Sequence, residues 1–143
     1  MAVVEKTALV QHQPMQMYEL VADVAAYQDF LPWCSSSRLI SKTDTQICGE
    51  IEVSRAGITQ KFSTCNEIVP GQSMQLKLKQ GPFRKLEGLW LFTALGENAC
   101  KVSLQLEFEF SGKLINAAFG RVFSYIANDM VDAFCKRADQ IYR

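Results

Sequence analysis

The longest hydrophobic pattern in the chain lies at its C-terminal end. Leu114, Ile115, Ala118, Phe119, Val122, Phe123, Ile126, Ala127, Met130, Val131, Phe134, Ala138 and Ile141 recur at spacings of three and four. Residues so spaced share one face of a helix, and Asn116, Arg121, Asn128, Asp129, Asp132, Lys136 and Asp139 fall mostly off it. The pattern predicts one amphipathic helix over 113–142, with Ser111 placed to cap its start. At 1.5 Å per residue it would run about 45 Å, long for a globular helix. A stripe of that length has to be buried against an equally long surface.

The rest of the chain supplies that surface through alternation of period two. Residues 3–11 read as a first strand, ended by His12-Gln13-Pro14. Pro14 suits the first turn of a helix, and Met17, Leu20, Val21 and Val24 share one face of it. Residues 25–30 add a second short helix, closed by Leu31-Pro32 because the residue before proline is pushed out of helical geometry. From Arg38 onward strands dominate. Ile47, Gly49, Ile51 and Val53 share one parity, and Ala56-Gly57 turns the chain into 58–69. Pro70-Gly71-Gln72, Gly81-Pro82 and Gly96-Glu97-Asn98 punctuate three more strands. On these, Met74, Leu76 and Leu78, then Leu86, Gly88, Trp90 and Phe92, then Val102, Leu104, Leu106, Phe108 and Phe110 point one way. Such clean alternation implies one wet and one buried face, hence antiparallel pairing. The predicted fold is α+β. It has a curved antiparallel sheet of about seven strands, two short helices after the first strand, and the long helix across the concave face. One domain over 1–143 is expected.

Composition adds exclusions. The formal net charge is +0, so binding a polyanion through overall charge is not expected, although a local basic patch is still allowed. The five cysteines are odd in number and none has the two-residue spacing of a metal knuckle or redox motif, so reduced thiols are expected. The N-terminus lacks a basic start followed by a long apolar block, and no run approaches a membrane span. These features point to a soluble, cytoplasmic protein.

Catalytic chemistry finds little support. His12, the single histidine, reads as a surface residue at a strand end and rules out a histidine-rich metal site. Asp23 reads as a helix-end residue, and Glu50, Glu52, Glu107 and Glu109 belong to the outer sheet face. Neither a Gly-rich phosphate loop nor a nucleophile elbow is present in the sequence. No catalytic residue and no metal ligand is assigned.

Several spaced motifs resemble a known family. They are Tyr18-x-Leu20-Val21-x-Asp23-Val24-x-x-Tyr27-x-x-Phe30-Leu31-Pro32-Trp33-Cys34, then Gly81-Pro82-Phe83-x-x-Leu86-x-Gly88-x-Trp90-x-Phe92, then Phe108-x-Phe110. Ala118-Phe119-Gly120-x-Val122-Phe123 and Met130-Val131-x-Ala133-Phe134-x-x-Arg137-Ala138 complete the set. In this order, from about residue 6 to 142, they resemble the RatA-like, coenzyme-Q-binding-protein-like branch of the START superfamily, also labelled polyketide cyclase or dehydrase. The resemblance implies the helix-grip (START/Bet v 1-like) fold. It also implies two functions that the motifs do not separate. One is non-enzymatic binding of ubiquinone or another polyprenyl lipid in support of respiration, with a placement peripheral to the inner membrane. The other is association with the large (50S) ribosomal subunit, hindering its joining to the small one. DNA is not an expected partner, and no covalent cofactor is implied.

Of the two, lipid binding is the leading expectation. Its cavity would be lined by Phe62, Met74, Leu76, Leu78, Trp90, Phe92, Leu104, Leu106 and Phe108 from the strands, and by Phe119, Val122, Phe123, Ile126 and Met130 from the long helix. The same residues would equally serve as plain core. Gly88 and Gly120 remove side-chain volume, for close packing or for a ligand. Phe30, Leu31 and Trp33 would sit at the cavity mouth, as a membrane- or partner-touching tip or as a plug. For ribosomal RNA the candidates are Lys77, Lys79, Arg84 and Lys85 around the Gly81-Pro82 turn, unless glutamates pair with them across the strands. On the helix, Asp132 and Lys136 are spaced as a simple four-residue ion pair.

Overall fold

The computed structural model describes the backbone of residues 2–111 and 113–142 and the side chains of 3–111 and 119–142. Strand β1 (Ala2–Val10) leads into α1 (Pro14–Ala22), a 3₁₀ turn (Val24–Ala26) and α2 (Tyr27–Phe30). Six strands follow: β2 (Cys34–Lys42), β3 (Gln46–Arg55), β4 (Ile58–Val69), β5 (Ser73–Gln80), β6 (Phe83–Gly96) and β7 (Ala99–Phe110). Helix α3 (Lys113–Ile141) closes the order. The helix start at residue 112, where a Ser111 cap would act, and the side chains of Leu114, Ile115 and Ala118 lie outside the described residues.

All strand pairs are antiparallel in the spatial order β1-β7-β6-β5-β4-β3-β2, so each of β2 to β6 neighbours its sequence successor. Short turns make that meander possible. The β3–β4 hairpin has a two-residue loop in which Ala56 (φ 54°) and Gly57 (φ 79°) both take positive φ, the twist that suits a tight hairpin. β1 pairs with β7 and forms one edge of the sheet, opposite β2. α3 packs on β1, β7, β4 and α1, and its stripe meets the inward parity of the strands in one continuous core.

Three sequence expectations are corrected by the fold. β2 begins at Cys34, earlier than the apolar signal suggests, because Ser35, Ser36 and Ser37 conceal the alternation and bulges interrupt it at Cys34/Ser36 and Leu39/Ser41. The cysteines are not all reduced. Cys48 and Cys65 stand directly opposite on β3 and β4, on the outer face, and form a disulfide, while Cys34, Cys100 and Cys135 are free. Spacing in sequence misses such a pair because antiparallel pairing, not local proximity, brings it together. His12 is buried, 8% exposed: the turn after β1 tucks beneath the end of α3, where its Nε2 lies 2.8 Å from Asp139 Oδ1.

Candidate functional site

The inward faces of β3 to β7, the underside of α3 and the residues Val24 and Tyr27 surround a small apolar cavity of about 70 Å³. Eight of the expected lining residues meet there: Phe62, Leu76, Trp90, Leu104, Leu106, Phe123, Ile126 and Met130. The other six sit elsewhere in the core. Phe108 and Phe119 join an aromatic cluster with Phe110 and Phe123. Phe92 lies parallel to Trp90 at 6.2 Å and meets Tyr18 edge-on, Met74 and Val122 are buried, and Leu78 is half-buried at the rim. The volume is far below the roughly 300–1,000 Å³ of pockets that hold drug-sized ligands.

The cavity wall carries polar groups that apolar patterning passes over. Thr64 and Asn66 share the inward parity of Phe62 and Ile68 on β4 and line the space with Tyr27. Asn66 is 4% exposed, its amide nitrogen reaching Met74 sulfur at 3.7 Å, and its Oδ1 has no hydrogen-bond partner. A buried, unpartnered carbonyl costs about 1–3 kcal/mol, so it marks the point where a donor would be accepted. The signal was legible: an asparagine at an inward strand position. Tyr27 makes no such offer, because its hydroxyl donates to the Val21 carbonyl. Burial pushes its phenol well above its ordinary value, with Cys34 and Asp23 acting in the same direction.

At the expected mouth, the structure favours the plug. Leu31 and Trp33 are 1% and 2% exposed, and Trp33 Nε1 donates to Asp129 Oδ2 at 3.3 Å. Only Phe30 stays half-buried, edge-on to Tyr27 and Phe134. The two glycines divide as well. A Cβ on Gly88 would come within 2.8 Å of Leu106 and 2.9 Å of Leu76, whose tips occupy the vacated space, whereas at Gly120 it would meet only Phe110, at 3.5 Å. Gly88 serves close packing. Gly120 is not required by it.

The sheet cations are largely committed. Arg84 reaches Glu109 at 3.4 Å, Lys85 reaches Glu107 at 3.2 Å and Lys77 reaches Glu67 at 3.5 Å, while Lys79 makes no ion pair among the described residues. The hydrogen bond to Glu107 raises the pKa of Lys85. On α3, Asp132 meets Lys6 across to β1 at 3.8 Å, in place of the expected partner Lys136.

A second, open groove of about 330 Å³ runs along the outer side of α3, between it and the loop after α2. Phe30 and Pro32 form one wall, and Tyr125, Asp129, Lys136 and Arg137 line the helix side. The Arg55 guanidinium lies 3.6 Å over the Tyr125 ring, and that of Arg137 lies 5.0 Å over Phe30. Among the described residues no cluster of three or more His, Cys, Asp or Glu could hold a metal ion, and no helix is long and apolar enough to cross a membrane.

The family model described as polyketide cyclase / dehydrase and lipid transport matches residues 10–135, from the end of β1 to the last turns of α3. The chain belongs to this family. Within it, the chain is 47% identical over 139 residues to the ribosome association toxin RatA of Vibrio cholerae, covering 97% of this chain and 96% of that one. It is 42% identical, with the same coverage, to RatA of Pseudomonas aeruginosa. A more distant likeness, 29% over 131 residues, joins it to the mitochondrial coenzyme Q-binding protein COQ10 homolog B of Xenopus laevis, spanning 89% of this chain and 54% of that one. Among solved structures, the ZhuI aromatase/cyclase from Streptomyces sp. R1128 superposes with a TM-score of 0.87 over 99% of this chain and 96% of that one. Its 16% identity makes that a likeness of fold. The family's curved seven-stranded sheet and long C-terminal helix are the architecture described above.

Proposed function

We propose that this chain is a non-enzymatic, cytoplasmic ribosome-association factor of the RatA type, which binds the large ribosomal subunit and keeps the small subunit from joining it. The observation that carries this reading is the identity of 42% and 47%, over nearly the full length of both partners, to proteins named ribosome association toxins. It takes precedence over the leading sequence expectation, quinone binding. A cavity of about 70 Å³ supports the same order, being too small for a polyprenyl quinone without wide repacking. The test is sedimentation of ribosomes at low magnesium with added protein. The expected result is co-migration with the large subunit and loss of joined particles; an unchanged profile would remove the reading.

One observation favours a second reading, the binding of ubiquinone or another polyprenyl lipid. It is the unpartnered Asn66 Oδ1 inside an apolar wall, together with the more distant coenzyme Q-binding relative. Organic extraction of purified protein followed by mass spectrometry tests it. A stoichiometric quinone would support it, and an empty extract with no saturable binding on titration would count against it.

A further inference from the structure

We infer that the groove between α3 and the loop after α2 is the surface that docks on the ribosome, and that it takes an unpaired stretch of ribosomal RNA. The inference rests on the ribosome-association reading and adds the contact face and the chemistry it recognises. Three observations carry it. First, Lys136 and Arg137 in the groove and Arg55 at its rim, over Tyr125, have no ion-pair partner among the described residues. Second, the groove acids are already engaged, Asp129 by Trp33 Nε1 at 3.3 Å and Asp132 by Lys6 at 3.8 Å. With Arg55 at the rim beside Tyr125, three cations face the two groove carboxylates, Asp129 and Asp132, a local surplus of positive charge in a chain whose formal charge is zero. Third, two of the cations lie over aromatic rings, Arg55 over Tyr125 at 3.6 Å and Arg137 over Phe30 at 5.0 Å, and Tyr125 is 46% exposed.

Guanidinium planes and open aromatic faces are what unpaired RNA bases stack on, and nearby cations meet the phosphates. A groove of about 330 Å³ is within the range of sites that take a small planar group. The basic cluster around the Gly81-Pro82 turn fits this role less well. Three of its four cations are matched by glutamates across the strands, so that face is closer to neutral and offers no exposed ring between them.

The test uses the full chain, purified large subunits and protein-free large-subunit RNA, over a range of salt concentrations. Arg55→Glu combined with Arg137→Glu removes two groove cations from the surface, and Tyr125→Ala removes the open ring; unchanged thermal midpoints establish that each variant is folded. The wild type should bind both subunits and bare RNA. The double variant should lose at least tenfold on both, with a salt slope shallower by about 1.4, at ~0.7 per phosphate contact on a single strand. Tyr125→Ala should lose about tenfold with its slope unchanged. If the double variant binds subunits as tightly as wild type while Lys77→Glu with Lys79→Glu loses binding, the docking face is the sheet and the inference is overturned alone. If the groove variants lose subunit binding but wild type ignores bare RNA, the occupant is a ribosomal protein and the RNA assignment is overturned. A wild type that binds no subunits removes the ribosome reading itself, and this inference with it.

Discussion

The concave face of the sheet is divided beneath α3 into two halves of opposite character. On one side Phe62, Phe83, Phe108, Phe110, Phe119 and Phe123 interlock with ring centroids 4.8 to 6.1 Å apart, mostly edge-on. On the other, Val24, Ile51, Thr64, Asn66, Leu76 and Met130 surround empty space. Phe62 and Phe123 belong to both sides and form the boundary. Rings without polar atoms can close on one another in edge-to-face contact, each pair adding about 0.5–1.5 kcal/mol beyond area burial. An amide in the opposite wall cannot close this way, because collapse onto it would seal an unsatisfied carbonyl in apolar surroundings. The filled half is built for stability, and the open half gives up some stability for a polar group held in reserve.

The largest effect that can break this contrast is removal of the boundary ring. Phe123 is 3% exposed and packs against five other phenylalanines, so Phe123→Ala should cost about 3–5 kcal/mol. Urea unfolding measures it directly. A loss below about 1 kcal/mol would mean that the cluster is not where the stability resides.

Alkaline pH should act outside the aromatic cluster, since that cluster carries no titratable group, whereas Tyr27 in the cavity wall and buried thiols such as Cys34 and Cys135 do titrate. Burial holds Tyr27 protonated well above its ordinary value of 10.0 and pushes Cys34 from 9.0 to about 11. In the unfolded chain both release their protons earlier. Stability from these groups is therefore complete below about pH 9, and it falls as pH rises through the ordinary values towards the folded ones. A pH series of urea midpoints should show the decline beginning near pH 9 in wild type and Tyr27→Phe alike, since the thiols set it, and running shallower above about pH 10 in the variant. That variant should also lose about 1 kcal/mol at neutral pH with its bond to the Val21 carbonyl. An identical alkaline profile in the variant would remove Tyr27 as the cause.

These two halves were not equally legible in the sequence. Strand order, the long helix and the inward parity of Leu104, Leu106 and Phe108 follow from alternation, because period two and period 3.6 report burial directly. Alternation does not report how far a buried face is filled. Alternation alone therefore puts Phe108, Phe119 and Phe92 on a cavity wall, whereas Phe108 and Phe119 pack in the aromatic cluster and Phe92 packs on Trp90 and Tyr18. Asn66 stood in the inward register of β4 and could have been found by asking which inward residues are polar. The Cys48–Cys65 pair and the His12–Asp139 contact join residues far apart in the chain, and no local pattern encodes them. The cations near Gly81 were visible as a cluster, but whether a charge is committed depends on its cross-strand neighbour.

Replacing the polar residue that β4 places in the cavity wall should sharpen the contrast in the opposite direction. Asn66→Leu replaces the orphaned amide with an apolar side chain of similar size and removes the cost of its unpaired carbonyl. A gain of about 1–2 kcal/mol is expected in urea unfolding. Ribosome co-sedimentation should not change, since the cavity and the outer groove share no lining residue. A loss of stability would show that Oδ1 is satisfied in solution, by water or by a bound donor.

The smallest effect concerns Gly120, where the helix passes over the packed half. A glycine inside a helix costs about 1 kcal/mol relative to alanine, and here no tight crossing demands it, the nearest atom to an added Cβ being Phe110 Cε2 at 3.5 Å. Gly120→Ala should therefore raise stability by about 1 kcal/mol. Gly88→Ala, where the Cβ meets two leucine tips below 3.0 Å and the Gln105 carbonyl at 3.2 Å, should show no such gain. If Gly120→Ala is neutral or destabilising, the helix needs freedom at that point. The packed half would then be less rigid at this turn of α3 than its rings imply.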